Sequence, residues 1–272
     1  MADNTPFRPV DPAKLGIPSP HVEIDTTIAH PARVYDYVLG GKDNYPADRE
    51  VAEKAMAALP TAREETLANR EFLRRAVRYV VRDEGIDQIL DIGTGIPTVG
   101  PTHEVAEEAN PAVKVVYVDN DPIVLVHARA LLVDDERTTV MQADVRDPAT
   151  ILARAEEFLD LSRPIAIMFV GLWYFIPEED DPDALLAQYR AALAPGSYML
   201  LTHALDTPEV MEVKKVYKTS SQLAPRSRSR IAELFTGWDL VPPGLKPIHE
   251  WRPDGDETHA GHMLGGVGRL TR

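Results

Sequence analysis

The chain has 272 residues, 44% of them hydrophobic and 26% charged, proportions of an ordinary globular protein that exclude disorder as the default and favour one large domain with an appendage over two equal ones. Its formal charge of -14 and pI near 5.0 oppose sequence-independent attraction to nucleic-acid phosphates or anionic membrane surfaces. With no cysteine, disulfides, thiolate metal sites and a cysteine nucleophile are excluded, which fits a reducing, cytoplasmic location.

The stretch from Met1 to about Ile28 is proline-rich and without periodicity, so it reads as an extended arm. It lacks the basic start and apolar run of a secretory signal, and no apolar run in the chain approaches the ~20 residues of a membrane span, so a soluble intracellular protein is expected. A short helix is predicted from Pro31 to the pair Gly40-Gly41, with Val34 and Val38 on one face. A second runs from Pro46 to Leu59, stopped by Pro60, with Val51, Ala55 and Leu59 at four-residue spacing. Thr61 and Glu64 form a capping-box pattern that opens a long amphipathic helix through Leu73, Val77 and Val80 toward Gly85. Residues 1–85 thus read as an arm and helical cap, and 86–272 as the core.

From Ile86 onward short β-rich runs alternate with helical stretches, the signature of an α/β fold with a doubly wound, mostly parallel sheet. The predicted strands are Gln88 to Ile92, Val113 to Asp119, Thr138 to Ala143, Ile165 to Val170 and Tyr198 to Thr202. Two later runs, Asp239 to Val241 and Met263 to Leu270, are expected to form an antiparallel edge.

The first strand runs into Asp91-Ile92-Gly93-Thr94-Gly95. Glycines there let a ligand approach the backbone at the carboxyl end of a strand, where open α/β sheets bind ligands. A dinucleotide fingerprint has an apolar residue where Asp91 stands and a third glycine where Thr98 stands. A carboxylate at that place complements cations, and S-adenosylmethionine carries a sulfonium and an ammonium. Asp119, ending the second strand, is placed to accept from both hydroxyls of an adenosine ribose, with Asn120 beside it. Asp121-Pro122 reads as the cap of the next helix. At the third strand tip Asp144 is placed to accept from an adenine amino group and Val145 to offer its backbone amide, while Asp147-Pro148 caps the following helix. The fourth strand leaves through Trp173-Tyr174-Phe175, which either walls a substrate pocket or packs in the core.

Residues 86 to 202 resemble the class I, Rossmann-like core of S-adenosylmethionine methyltransferases in Asp91-x-Gly93-x-Gly95, Asp119, Asp144 and Leu193-x-Pro195-Gly196, departing from it at Pro97, where many members have a third glycine. Nearly the whole chain resembles a bacterial family of such methyltransferases long classed as a domain of unknown function. The stretches that carry this are Pro31-x-Arg33-x-Tyr35-Asp36-Tyr37-x-Leu39-Gly40-Gly41-Lys42-Asp43-Asn44-Tyr45, then Pro243-Gly244 and Trp251-Arg252-Pro253. The resemblance implies S-adenosylmethionine as cofactor and an undefined acceptor, expected to be a small molecule. On the first stretch Lys42 is placed to pair with the methionine carboxylate, with Arg33, Tyr37 or Tyr45 closing as a lid over a Gly40-Gly41 hinge; a helical cap held by ion pairs is the alternative.

Weaker signals are His259-x-x-His262 beside Glu257, with metal-ligand types but no clear further ligand, and a basic stretch of Lys214, Lys215, Lys218, Arg226, Arg228 and Arg230, which reads as a solvated face or, alternatively, as a surface that receives an acidic substrate. His203 and Tyr174 are possible proton acceptors, although methyl transfer from a sulfonium needs alignment more than a base. The competing functions are an NAD-dependent oxidoreductase, which Asp119 suits and Asp91 does not, and a non-catalytic module that binds S-adenosylmethionine.

Overall fold

The computed structural model describes residues 25–97, 100–131, 136–255 and 261–271. Most of the expected arm, together with Thr98, Glu257 and His259, lies outside the described residues.

The chain begins with helix α1 (Pro31–Leu39). Pro31 supplies the preset φ of a first turn, His30 caps it by accepting from the Ala32 amide, and Gly40, at φ 86°, ends it. Helix α2 (Pro46–Ala58) follows. Asp48 ties the two starts together, because its carboxylate accepts from the amides of both His30 (2.9 Å) and Tyr45 (2.8 Å). Helix α3 (Ala62–Arg78) then widens into a π turn at Tyr79–Asp83. The capping box expected at its start does not form. Thr61 has φ -87° and ψ 5° rather than an extended backbone, so its hydroxyl cannot reach the third amide and is left buried without a partner.

The remaining elements alternate as predicted: β1 (Gln88–Ile92), α4 (Thr102–Ala109), β2 (Lys114–Asp119), α5 (Pro122–Leu131), β3 (Thr138–Gln142), α6 (Pro148–Ala155), β4 (Ala166–Phe169), α7 (Pro182–Ala191) and β5 (Tyr198–Ala204). Then come α8 (Pro208–Val216), α9 (Arg228–Glu233), β6 (Asp239–Leu240), β7 (Lys246–Pro247) and β8 (Met263–Arg269). Strands lie in the order β3-β2-β1-β4-β5-β8-β6, with β7 also on β8. The first five are parallel, and β8 runs antiparallel to β5, β6 and β7. The antiparallel edge is therefore as expected, except that β7, two residues long, has no readable pattern.

Strand alternation feeds two cores. Leu90, Val116, Ile167 and Met199 face one, with Ile151 and Tyr189 from α6 and α7. Ile89, Val115, Met168 and Leu200 face the other, where α3 packs Phe72, Ala76 and Val77. The long helix is thus held on the sheet by fully buried side chains, each worth roughly 1.5 to 3 kcal/mol for the larger residues, and this carries its polar first half over the C-terminal ends of the strands. Among the described residues no helix is long and apolar enough to cross a membrane.

Candidate functional site

At the C-terminal end of β1 the chain turns through Gly93, at φ 72°, whose amide donates to the Val118 carbonyl at 2.8 Å. A Cβ at Gly93 would stand 2.7 Å from the Leu172 side chain, so both the φ and the packing demand glycine here. The Gly95 amide donates to Oδ2 of Asp119 at 2.9 Å, and the Asp121 amide donates to Oδ1 of Asp119 at 2.9 Å. Each of those oxygens keeps a second lone pair. The carboxylate is buried at the tip of β2, and burial raises its pKa, opposed in part by the two amides and by nearby His30.

One cavity opens above this point. Gly93, Thr94, Gly95, Asp119, Asn120 and Val145 line it, six of the residues singled out from sequence. Tyr189 fixes the β3 tip by donating its hydroxyl to the Val145 carbonyl at 2.8 Å.

Three predicted site residues stand outside the cavity wall. Asp91 lies beneath the loop, where its Oδ2 accepts from the hydroxyls of Thr102 (2.6 Å) and Thr94 (3.4 Å), and burial pushes its pKa up to about 6. It braces the glycine turn from below. Asp144 spends its carboxylate on its own turn, accepting from the Arg146 amide at 2.9 Å and pairing with the Arg146 guanidinium at 3.3 Å; Ala143, Val145 and Arg146 line the cavity instead. Lys42 is exposed and does not line the cavity.

The reason for the last displacement is Asp36. Buried under the loop, it accepts from the Asp43 amide (2.9 Å) and the Asn44 side chain (2.8 Å). A Cβ at Gly41 would fall 1.9 Å from its Oδ1, so Gly41 is there for close approach rather than as a hinge. The expected lid residues are likewise anchors. Arg33 is buried, with Nε 3.2 Å from Asp121 and a donor on the Ile28 carbonyl; Tyr37 donates to Glu53; and Tyr45 lies under the Arg33 guanidinium at 5.6 Å. It is the other face of α1, through Pro31, Ala32, Tyr35 and Leu39, that walls the cavity.

His203 is buried with both ring nitrogens engaged. Nε2 accepts from the Arg226 guanidinium at 2.8 Å, so Nδ1 carries the proton and donates to the Ala204 carbonyl. Burial drives its pKa down to about 3, and it does not line the cavity. Arg226 from the basic stretch is buried against Glu178, and Arg230 pairs with Glu178 and Asp183, so these two arginines are structural. Trp173 packs in the core on Phe169, while Phe175 lines the cavity. Among the described residues no group of three metal-ligating side chains gathers.

Sequence reasoning missed His30, Asn69 and Arg70, all on the cavity wall. His30 holds Nδ1 3.1 Å from Asp121, and Arg70 donates to the Gly100 carbonyl at 3.0 Å. One signal was present: Glu65 and Asn69 fall on the apolar stripe of α3, in step with Leu73 and Val77, where a polar side chain needs a reason.

A profile of the S-adenosyl methyltransferase family matches residues 18–271. The chain belongs to that family. It is similar to a candidate methyltransferase from Thermobifida fusca, 41% identical over 93% of this chain and 99% of that one, with a TM-score of 0.87. It is equally similar in structure to a DUF574-family protein from Streptomyces avermitilis, 38% identical over 91% of this chain and 100% of that one, TM-score 0.87. An O-methyltransferase family protein from Burkholderia thailandensis shares the fold alone, at 12% identity over 89% and 71% of the two chains and a TM-score of 0.51. No protein of curated function matches. The chain is thus an S-adenosylmethionine-dependent methyltransferase of the class I fold, and nothing supports the dinucleotide oxidoreductase alternative.

Proposed function

We propose that this enzyme methylates a small-molecule acceptor, with the adenosine of S-adenosylmethionine held between the tips of β2 and β3 and the methionine carboxylate met by Arg70. When bound, the cofactor supplies an electrophilic methyl group whose departure leaves a neutral thioether. The observation that carries the reading is the convergence of Gly93, Gly95 and Asp119 on one cavity that Arg70 also lines. Space above Gly95, where a Cβ would meet nothing within 4 Å, admits the ligand's approach to the loop, and the spare lone pairs of Asp119 suit two ribose hydroxyls. Arg70 takes the role assigned from sequence to Lys42, because of the two arginines on the wall Arg146 is paired with Asp144 and Asp180 at the β3 tip, whereas the charge of Arg70 is felt by Asp91 beneath the glycine loop. Val145 and Asn120 flank the adenine position, and Asp91 acts through the loop it braces.

The residues of the chain therefore bind, orient and exclude water, which suffices for a transfer that depends on alignment. The cysteine-free composition supports work in a reducing cytoplasm. Calorimetric titration tests the reading: S-adenosylhomocysteine and methylthioadenosine bind the protein and NAD does not. Binding of NAD in preference to S-adenosylhomocysteine overturns it.

A further inference from the structure

Next to the glycine loop, at the end of β4, a second polar feature is built into the same cavity. The Tyr35 hydroxyl donates its one proton to the Thr66 carbonyl at 3.1 Å. The Asn69 amide must therefore turn its NH2 toward Tyr35, to which Nδ2 donates at 3.2 Å. That orientation leaves Oδ1 of Asn69 without any partner, although the residue is only 2% exposed. A buried acceptor with no donor is costly unless a ligand or a water satisfies it, and on a cavity wall a ligand that brings its own donor can take that place. Asn69 lines the cavity and approaches Gly171, where a Cβ would lie 3.1 Å from its Nδ2. Gly171 follows β4, on the side of β1 away from Asp119, so this position lies beyond the adenosine.

The walls around it are apolar and aromatic. Tyr35 and Leu39 come from α1, Leu172 and Phe175 from the segment after β4, and Tyr217 from the end of α8, with Phe175 and Tyr217 stacked at 6.0 Å and 27°. Flat aromatic walls select a flat apolar guest. A lone neutral amide oxygen selects a neutral N–H or O–H. The ammonium of the cofactor, carrying a full charge and three donors, calls for more than one neutral oxygen in a buried place.

We infer that the methyl acceptor is a planar, largely apolar molecule whose hydroxyl or N–H donates to Asn69 Oδ1, which makes Asn69 a specificity-determining residue. The inference rests on the cofactor reading above, and the experiment separates the two. The full-length protein, saturated with S-adenosylhomocysteine, is titrated with 2-naphthol and with 2-methoxynaphthalene, which has the same rings and no donor. Naphthol is expected to bind at least tenfold more tightly than its ether, the scale of one hydrogen bond to a buried acceptor. In Asn69→Leu that preference disappears while affinity for S-adenosylhomocysteine is unchanged. Asn69→Asp, which retains an acceptor oxygen, keeps the preference and guards against a leucine variant that fails to fold. If wild type binds S-adenosylhomocysteine but does not distinguish naphthol from ether, the acceptor class is wrong and the cofactor reading stands. If either variant loses S-adenosylhomocysteine in step with naphthol while remaining folded, Asn69 serves the cofactor and the inference falls. Failure of wild type to bind S-adenosylhomocysteine overturns the cofactor reading itself.

Discussion

Replacing Arg70 by methionine keeps an apolar stem of similar length and removes the guanidinium from the cavity wall. A hydrogen bond between charged groups contributes about 1.5 to 3 kcal/mol, so losing the contact to the methionine carboxylate should weaken S-adenosylhomocysteine by roughly 10- to 150-fold. Methylthioadenosine has the same adenosine and thioether but no carboxylate, and its affinity should change by less than about threefold. The ratio of the two constants, measured by calorimetry in one buffer, isolates the carboxylate contact. It also cancels the side effect of the substitution, loss of the 3.0 Å bond to the Gly100 carbonyl, because disorder of the neighbouring loop would weaken both ligands alike. Lys42→Ala, at an exposed position off the cavity wall, should leave both constants unchanged. A Lys42 variant that loses S-adenosylhomocysteine selectively, with Arg70→Met showing no selectivity, would refute the reasoning and restore the sequence assignment.

Asp119→Ala should weaken S-adenosylhomocysteine and methylthioadenosine together, by tenfold or more, since both ligands carry the ribose; loss confined to one of them argues against the ribose contact. Glu65 is buried, and burial pushes its pKa from 4.5 up to about 7. The folded state then holds a proton that the unfolded chain has already released, so the contribution of Glu65 to stability is complete below about pH 4.5, is lost as pH rises toward 7 and levels off above it, by at most about 3 kcal/mol. Asp91, raised by burial to about 6, acts in the same direction. Thermal melts of wild type should therefore shift downward between pH 5 and pH 8, and Glu65→Gln should flatten that dependence; an identical slope in the variant would show that Glu65 is not the group. Hydrogen exchange with S-adenosylhomocysteine bound should slow across residues 31–39, whose helix walls the cavity, and stay the same across residues 41–45, which Asp36 already holds. Equal slowing of both parts would favour a hinged lid.

The sheet was legible because its cause is local and repeated. The strands β1, β2, β4 and β5 are largely apolar runs whose alternate residues feed opposite cores, β3 is a β-branched edge run, and each following helix is announced by an acid or a proline, as at Asp121, Asp147 and Asp181. The glycine turn and Asp119 were legible for the same reason, since a strand tip fixes where its last side chain points. Asn69 and Arg70 were not, because nothing in an amphipathic pattern tells which end of a 17-residue helix overhangs the strands. That follows from Phe72 and Val77 docking on the sheet, a tertiary fact. Thr61 misled through a related gap, for its residue type suits a cap but its backbone, with ψ near 5°, does not.

Lys42 shows the limit of reading function from a dense motif. The run from Pro31 to Tyr45 concentrates charged and aromatic residues around two glycines, which suggests a ligand and a moving part. In the fold many of those residues serve the segment's own shape: Arg33 meets Asp48 and, from the next layer, Asp121, Asp36 holds Asp43 and Asn44, Asn44 accepts from Arg49, and Gly41 makes room for Asp36. On the proposed reading, the segment serves to place Tyr35 and Leu39 on the cavity wall. If that wall holds the acceptor, its internal bonding has a catalytic consequence, because transfer from a sulfonium depends on holding the acceptor in line with the carbon-sulfur bond, and a wall braced before binding leaves less conformational freedom to be lost when the acceptor binds.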